Sequence, residues 1–239
     1  MPKPRRDWRP APHEPWQKLS ENLWWVRGPI PGIALQRCMT VARLADGRLV
    51  IWSAMALDDA SMQELEAWGT PAFLVVPSAL HRLDAPAYKA RYPKLLVFCP
   101  RAAQKAAAQV VAVDGVLEEF PADPHVSFRP LHGIADKEGA MLVRSNDGVT
   151  VVLNDALFNM AMPTDFVART FVKLFGSAPG PRVSRLVKLT WCKDRAAFRK
   201  SMAELAALPD LQRVIVAHDS IVSGPAAREA LESAVAQLA

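Results

Sequence analysis

The sequence is short of the features that usually announce a function. Cysteine occurs three times in 239 residues. Cys38, Cys99 and Cys192 lie far apart with no Cys-x-x-Cys pair, which argues against a zinc knuckle or a redox dithiol. Cysteines this sparse match no secreted disulfide framework and point to a reducing compartment. No apolar run approaches the ~20 residues of a membrane span, and the polar N-terminus has no signal-peptide core. The expectation is a cytoplasmic protein with no membrane partner. Nucleotide fingerprints, Gly-rich phosphate loops and the Gly-x-Ser-x-Gly elbow are missing. So are basic stripes interleaved with aromatics, which argues against nucleic acid.

What is present describes a folded chain. Hydrophobic residues make up 51% and charged residues 22%, enough apolar material for a substantial core and too little charge for disorder. The net charge of +5 is partly local. Lys3, Arg5, Arg6 and Arg9 crowd a stretch with Pro2, Pro4 and Pro10, so residues 1–19 read as a flexible, basic, Pro-rich arm. Such an arm suits solvent first and an anionic partner second. Residues 20–239 contain no linker and read as a single domain.

Hydrophobic patterning places the elements. Residues 23–32 and 38–54 read as strands, with a hairpin turn at Ala45-Asp46-Gly47. Residues 58–69 read as a helix with a capping box at Ser61 and Glu64 and a stop at Gly69. "AFLVVP" is a strand, 86–93 a short helix between prolines, 94–100 a strand, 101–109 a helix of strong formers, and "VVAVDG" extended chain. That run is of βαβ type and implies parallel pairing. The second half repeats the order. A hairpin on Asn146-Asp147-Gly148 spans 140–154, helices follow over 164–176 and, capped by Asp194, over 194–208. A strand over 213–217 and a closing helix that begins at Pro225 complete the chain.

Five histidines occur. His13 falls in the arm and His125 in a proline-flanked loop, neither in a setting that suggests chemistry. His81 follows the strand ending at Pro77 in "VVPSALHRLDAP", His132 lies in "RPLHGIAD" ahead of a hairpin, and His218 leaves an apolar strand in "VIVAHDS". Asp155, in "VTVVLNDALFN", leaves another. Four potential ligands at separate strand exits are what a metal site at a sheet edge requires, with rigid strands fixing direction and loops supplying side chains. Imidazole and carboxylate suit zinc, iron or manganese. Each residue taken singly also reads as a polar group satisfied at a strand end, because spacings of this length match no short motif.

From about residue 20 onward the order of "LVIWSAM…FLVVPSALHRLDAPAYKARYP", "PLHGI…VTVVLNDALFN" and "VIVAHDSIVSG" resembles the metallo-β-lactamase superfamily, in a divergent branch without its full signature. The resemblance implies a mixed α/β fold, a four-layer αββα sandwich of two packed mixed β-sheets with helices on the outer faces. It also implies a metal site. His81 stands for the last histidine of the family's His-x-His-x-Asp-His loop, while Val76, Ser78 and Leu80 stand where the two earlier histidines and the aspartate are. His132 resembles the next histidine, Asp155 the bridging aspartate and His218 the last histidine. One of the two usual metal positions then lacks most of its ligands. The other keeps His81, Asp155 and His218, so the resemblance implies one zinc, with iron or manganese as alternatives, or none.

Two functional readings follow. In the first, the fold is kept while the depleted site holds an unidentified small molecule without catalysis. In the second, a mononuclear metal-dependent hydrolase acts on an ester or amide, with Asp84, Asp219 or Glu138 as candidate base and His132 holding a substrate oxyanion. Fold alone decides between neither.

Overall fold

The computed structural model describes residues 3–33, 35–162, 164–218 and 220–239. Strands β1 (Gln17–Ser20), β2 (Leu23–Pro29), β3 (Gln36–Arg43) and β4 (Arg48–Trp52) form the antiparallel meander that the early turns require. Helix α1 (Asp59–Trp68) leads to β5 (Thr70–Val75), α2 (Ala85–Arg91) to β6 (Leu96–Cys99), and the short α3 (Gln104–Ala107) to β7 (Gly115–Val116). Each helix returns the chain so that β4, β5, β6 and β7 run parallel. These seven strands make one mixed sheet in sequence order.

The second half supplies β8 (Val126–Pro130), β9 (Gly139–Ser145) and β10 (Gly148–Val152), all antiparallel. After β11 (Phe158–Met160), α4 (Phe166–Phe175), β12 (Gly180–Arg182) and α5 (Arg195–Ala206) come β13 (Leu211–Ile215), β14 (Val222–Ser223) and α6 (Pro225–Gln237). The second sheet has the order β14-β13-β10-β9-β8, with β13 parallel to β10. β11 and β12 pair separately.

Period-two alternation explains the layering. In β4, Val50 and Trp52 face a core shared with Met141 and Val143 of β9 and Ile215 of β13, which glues the two sheets together. Leu49 and Ile51, pointing the other way, pack with Met62 and Leu65 of α1 and Tyr88 of α2. In β10, Val149 and Val151 face outward onto Phe198 and Met202 of α5 and Leu231 of α6. Apolar side chains on both faces of central strands are possible only when helices cover each outer face, so the four-layer αββα sandwich expected from the sequence is the one observed. No helix among the described residues is long and apolar enough to cross a membrane.

Three local expectations are corrected. The cap of α1 is Asp58, whose carboxylate accepts the Ser61 N–H at 2.8 Å; Ser61 sits inside the first turn. The Ala-rich stretch 101–109 forms a 3-10 turn and a single helical turn, because helix propensity alone does not extend a segment this short. The third concerns residues 1–19, expected to be a flexible arm. From Arg5 onward they are docked instead. Arg5 N–H donates to the Leu83 carbonyl at 2.8 Å, Trp8 Nε1 donates to the Leu57 carbonyl at 2.9 Å, and the Trp8 ring lies 4.9 Å from that of Tyr88. Trp16 Nε1 donates to the Ser61 carbonyl at 3.0 Å. Amphipathic tryptophans convert a basic, proline-rich tail into a strap across α1 and α2.

We expect Trp8→Ala to lower unfolding stability by about 2 kcal/mol in denaturant titration, less than for a fully buried tryptophan. A change within about 0.5 kcal/mol would mean the strap is loose in solution.

Candidate metal centre

The site lies where parallel strands of both sheets end. β10 and β13 are parallel neighbours, so the residues that leave them, Asp155 and His218, emerge side by side. β4 and β5 are parallel too, which brings Ser53 and the loop after β5 to one edge of the first sheet. One backbone hydrogen bond, from Cys38 N–H to the Ala217 carbonyl at 3.0 Å, joins the two sheets next to His218.

Asp155 is held by its own backbone. In the β9–β10 hairpin Met141 opposes Val152, and continuing that register puts Glu138 opposite Asp155. The Glu138 carboxyl there takes three consecutive N–H groups, from Asn154 at 2.7 Å, Asp155 at 2.7 Å and Ala156 at 2.9 Å. It is 1% exposed. Burial, then the adjacent Asp155 charge, push its pKa well above the ordinary carboxylate range against the pull of those N–H groups. Glu138 was a candidate base from sequence. Both of its oxygens are committed to fixing the loop.

Two histidines converge on Asp155. His81 Nε2 lies 3.2 Å from Asp155 Oδ1, and His218 Nε2 lies 3.4 Å from the same oxygen. Each ring is oriented from behind. His218 Nδ1 is 2.7 Å from the Gln36 carbonyl oxygen. A carbonyl only accepts, so Nδ1 carries a proton there and Nε2 holds the lone pair of the neutral ring. Phe158 stacks on that ring, with centroids 5.7 Å apart. His81 Nδ1 lies 3.3 Å from Ser53 Oγ. Ser53 has φ of 59°, a left-handed conformation unusual for serine and the kind of local strain that collects at functional sites.

The donor set fits a cation. Atoms of His81, Asp155 and His218 able to ligate a metal all lie within 4.8 Å of one another. Asp155 is 6% exposed, and its Oδ2 has no hydrogen-bond partner. Burial would raise its pKa, but His81 and His218 outweigh it and hold the carboxyl well below its ordinary range. A buried anion flanked by two imidazole nitrogens needs positive charge between them, either protons on the rings or one metal ion.

The remaining sequence candidates stand elsewhere. His132 does not join the group: its side chain is exposed, correcting the expectation of a fourth ligand. The reason is its neighbour. Gly133 has φ of +86° and packs its backbone against the start of α5, where a Cβ would come within 2.2 Å of the Asp194 carbonyl. His132 N–H donates to Ser201 Oγ of α5 at 3.0 Å, so this loop is bound to the helix instead of the metal centre. Asp84, expected in a solvated loop, is buried. Its Oδ2 lies 2.7 Å from Arg37 Nη2 and accepts the Ala56 N–H at 3.2 Å. Asp219 lies outside the described residues. In the "VVPSALH" loop Val76 packs in the outer core and Ser78 is buried, while Leu80 is 47% exposed. Sequence reading assigned neither Ser53 nor Gln36 a place; the carbonyl role of Gln36 has no side-chain signal to read.

The fold has known counterparts. A metallo-β-lactamase from Hirschia baltica matches at 16% identity and a TM-score of 0.59, over 95% of this chain and 98% of its own. The metallo-β-lactamase FIM-1 from Pseudomonas aeruginosa, in its mono-zinc form, matches at 13% identity and 0.60, over 98% and 96%. One from Pontibacter korlensis matches at 11% identity and 0.60, over 95% and 99%. The chain therefore has the metallo-β-lactamase fold, and at these identities the likeness is one of fold. No family model matches the sequence, and no curated protein matches it either.

Two outcomes test this geometry. Glu138→Gln places an NH₂ against backbone N–H donors that only a carboxyl can satisfy together, and should cost about 2 kcal/mol in denaturant unfolding. Because Asp155 is held below its unfolded value, the folded chain binds fewer protons in the acid range. Stability should therefore fall as the pH drops below about 4. In a melting profile against pH, Asp155→Asn should flatten that acid limb; an unchanged limb would contradict the depressed carboxyl.

Proposed function

We propose that the protein binds one divalent metal ion through His81, Asp155 and His218 and holds a small molecule beside it, without hydrolytic turnover. The observation that carries this reading is the convergence of two back-braced imidazole Nε2 atoms on one buried carboxylate oxygen, at 3.2 and 3.4 Å. Zinc suits two nitrogens and one carboxylate best, with iron and manganese as alternatives. Bound there, such an ion would supply Lewis-acid chemistry, polarising an oxygen of a ligand.

The chain's own residues argue against turnover. Asp84 faces Arg37, Glu138 is occupied by three N–H groups, and the His132 side chain is exposed while its backbone N–H is tied to α5. Together with Asp219, which lies outside the described residues, those are the groups that the sequence offers for proton transfer and oxyanion binding. The positions Val76, Ser78 and Leu80 supply no imidazole or carboxylate for a second metal.

The second reading, a mononuclear hydrolase of an ester or amide, is favoured by one observation. Three protein donors leave a coordination position open, as catalytic zinc sites do.

Elemental analysis of the full chain, prepared without chelator and again after zinc reconstitution, should give about one metal per chain. His81→Ala and His218→Ala should fall to near zero, and His132→Ala should keep the wild-type ratio. Absence of metal in every preparation overturns the proposal. On p-nitrophenyl acetate and a chromogenic cyclic amide, the zinc-loaded protein should hydrolyse no faster than the chelated one. Zinc-dependent turnover abolished by His81→Ala would instead establish the hydrolase.

A further inference from the structure

Next to the metal centre is a cavity of about 30 Å³, room for a water or for one end of a small ligand. Its wall shares His81 and Ser53 with the centre and adds Arg37, with Ile30, Leu80 and Leu83 among the apolar side chains. Arg37 lies at the start of β3, one residue after the carbonyl that braces His218. It is 6% exposed. Its Nη2 lies 2.7 Å from Asp84 Oδ2 in an ion pair, yet neither Nε nor Nη2 makes a hydrogen bond. A guanidinium never loses its charge in a protein and carries its donors in a fixed plane. A buried, unpartnered donor on such a group, in the wall of a cavity, marks a place for an acceptor from outside.

The surroundings select the acceptor. Asp84 already neutralises most of the Arg37 charge, so the cavity suits a monoanion better than a phosphate, which carries up to two charges and more bulk. A planar carboxylate matches the Nε–Nη2 edge of a guanidinium. Most of the remaining wall is apolar, and it includes Leu80, which is 47% exposed. We infer that this cavity binds the carboxylate of a short-chain aliphatic monocarboxylic acid on Arg37, with the apolar chain of the acid against Leu80. The assignment rests on the reading that the space beside His81 is the ligand site, and it names the class of ligand.

The test is calorimetric titration of the full chain with butyrate and with its neutral counterpart butyramide, in chelated and zinc-loaded protein. Butyrate should bind saturably in the millimolar range, and butyramide at least about tenfold more weakly, the loss expected when a charge-assisted hydrogen bond is removed. Leu80→Glu alters an exposed side chain and places a like charge in the cavity wall; it should weaken butyrate about tenfold. Arg37→Lys keeps a cation facing Asp84 but removes Nε, and should abolish the preference for butyrate over butyramide. If that variant does not fold, the ligand pair on the wild-type chain and Leu80→Glu decide. Equal affinity for butyrate and butyramide, or no saturable binding of either, overturns the assignment. Butyrate binding by a chain that takes up no zinc would sink the metal reading alone. Zinc uptake without butyrate binding would sink this one alone.

Discussion

Two imidazole nitrogens aimed at one buried carboxylate oxygen are the constraint on which this structure turns. A carboxylate removed from water is costly unless it meets positive charge or several donors. Asp155 meets His81 and His218. The Gln36 carbonyl fixes the His218 proton on the far side of that ring, so a neutral His218 presents a lone pair, not a donor, to the carboxylate. The arrangement is balanced when positive charge, either a proton on a ring or a cation between the three groups, meets the carboxylate.

The fold builds that arrangement from ordinary parts. Parallel strands end at a common edge, which is why the exits of β10 and β13 lie side by side. The antiparallel hairpin before them carries Glu138 to the turn that holds Asp155. A core shared by the inner faces of both sheets keeps the two edges in register, and the Cys38–Ala217 hydrogen bond ties them at the site itself. The same frame leaves Arg37 next to His81 in the cavity wall. Each of these supports is backbone geometry or a buried contact. Side chains placed by such supports are pre-organised, and the ordering cost of the site is met during folding.

How much of this was legible in the sequence depended on the range of the interaction. Alternating strands and the turns at Asp46-Gly47 and Asn146-Asp147-Gly148 are local, and both hairpins form there. His81, Asp155 and His218 stood out because each follows an apolar run that must end at a sheet edge. His132 occupies the same kind of place but is turned away by the contact of Gly133 with Asp194, and no neighbouring residue announces that contact. The N-terminal strap escaped for a similar reason. Its charge and prolines suggest a solvated tail, while the partners that dock Trp8, the Leu57 carbonyl and the Tyr88 ring, come from far along the chain. Asp84 read as a loop carboxylate because its partner, Arg37, lies on a strand remote in sequence.

The central claim concerns which nitrogens face the ion, so the most direct measurement observes those nitrogens. Long-range ¹H–¹⁵N spectra of the histidine rings, recorded on ¹⁵N-labelled protein during a zinc titration, report protonation and ligation at each ring nitrogen. The account predicts that the Nε2 resonances of His81 and His218 move together and saturate at about one equivalent of zinc, with the His218 proton on Nδ1 throughout. The rings of His125 and His132 should be unaffected. Saturable shifts at His132, or no response at His81 and His218, would contradict it.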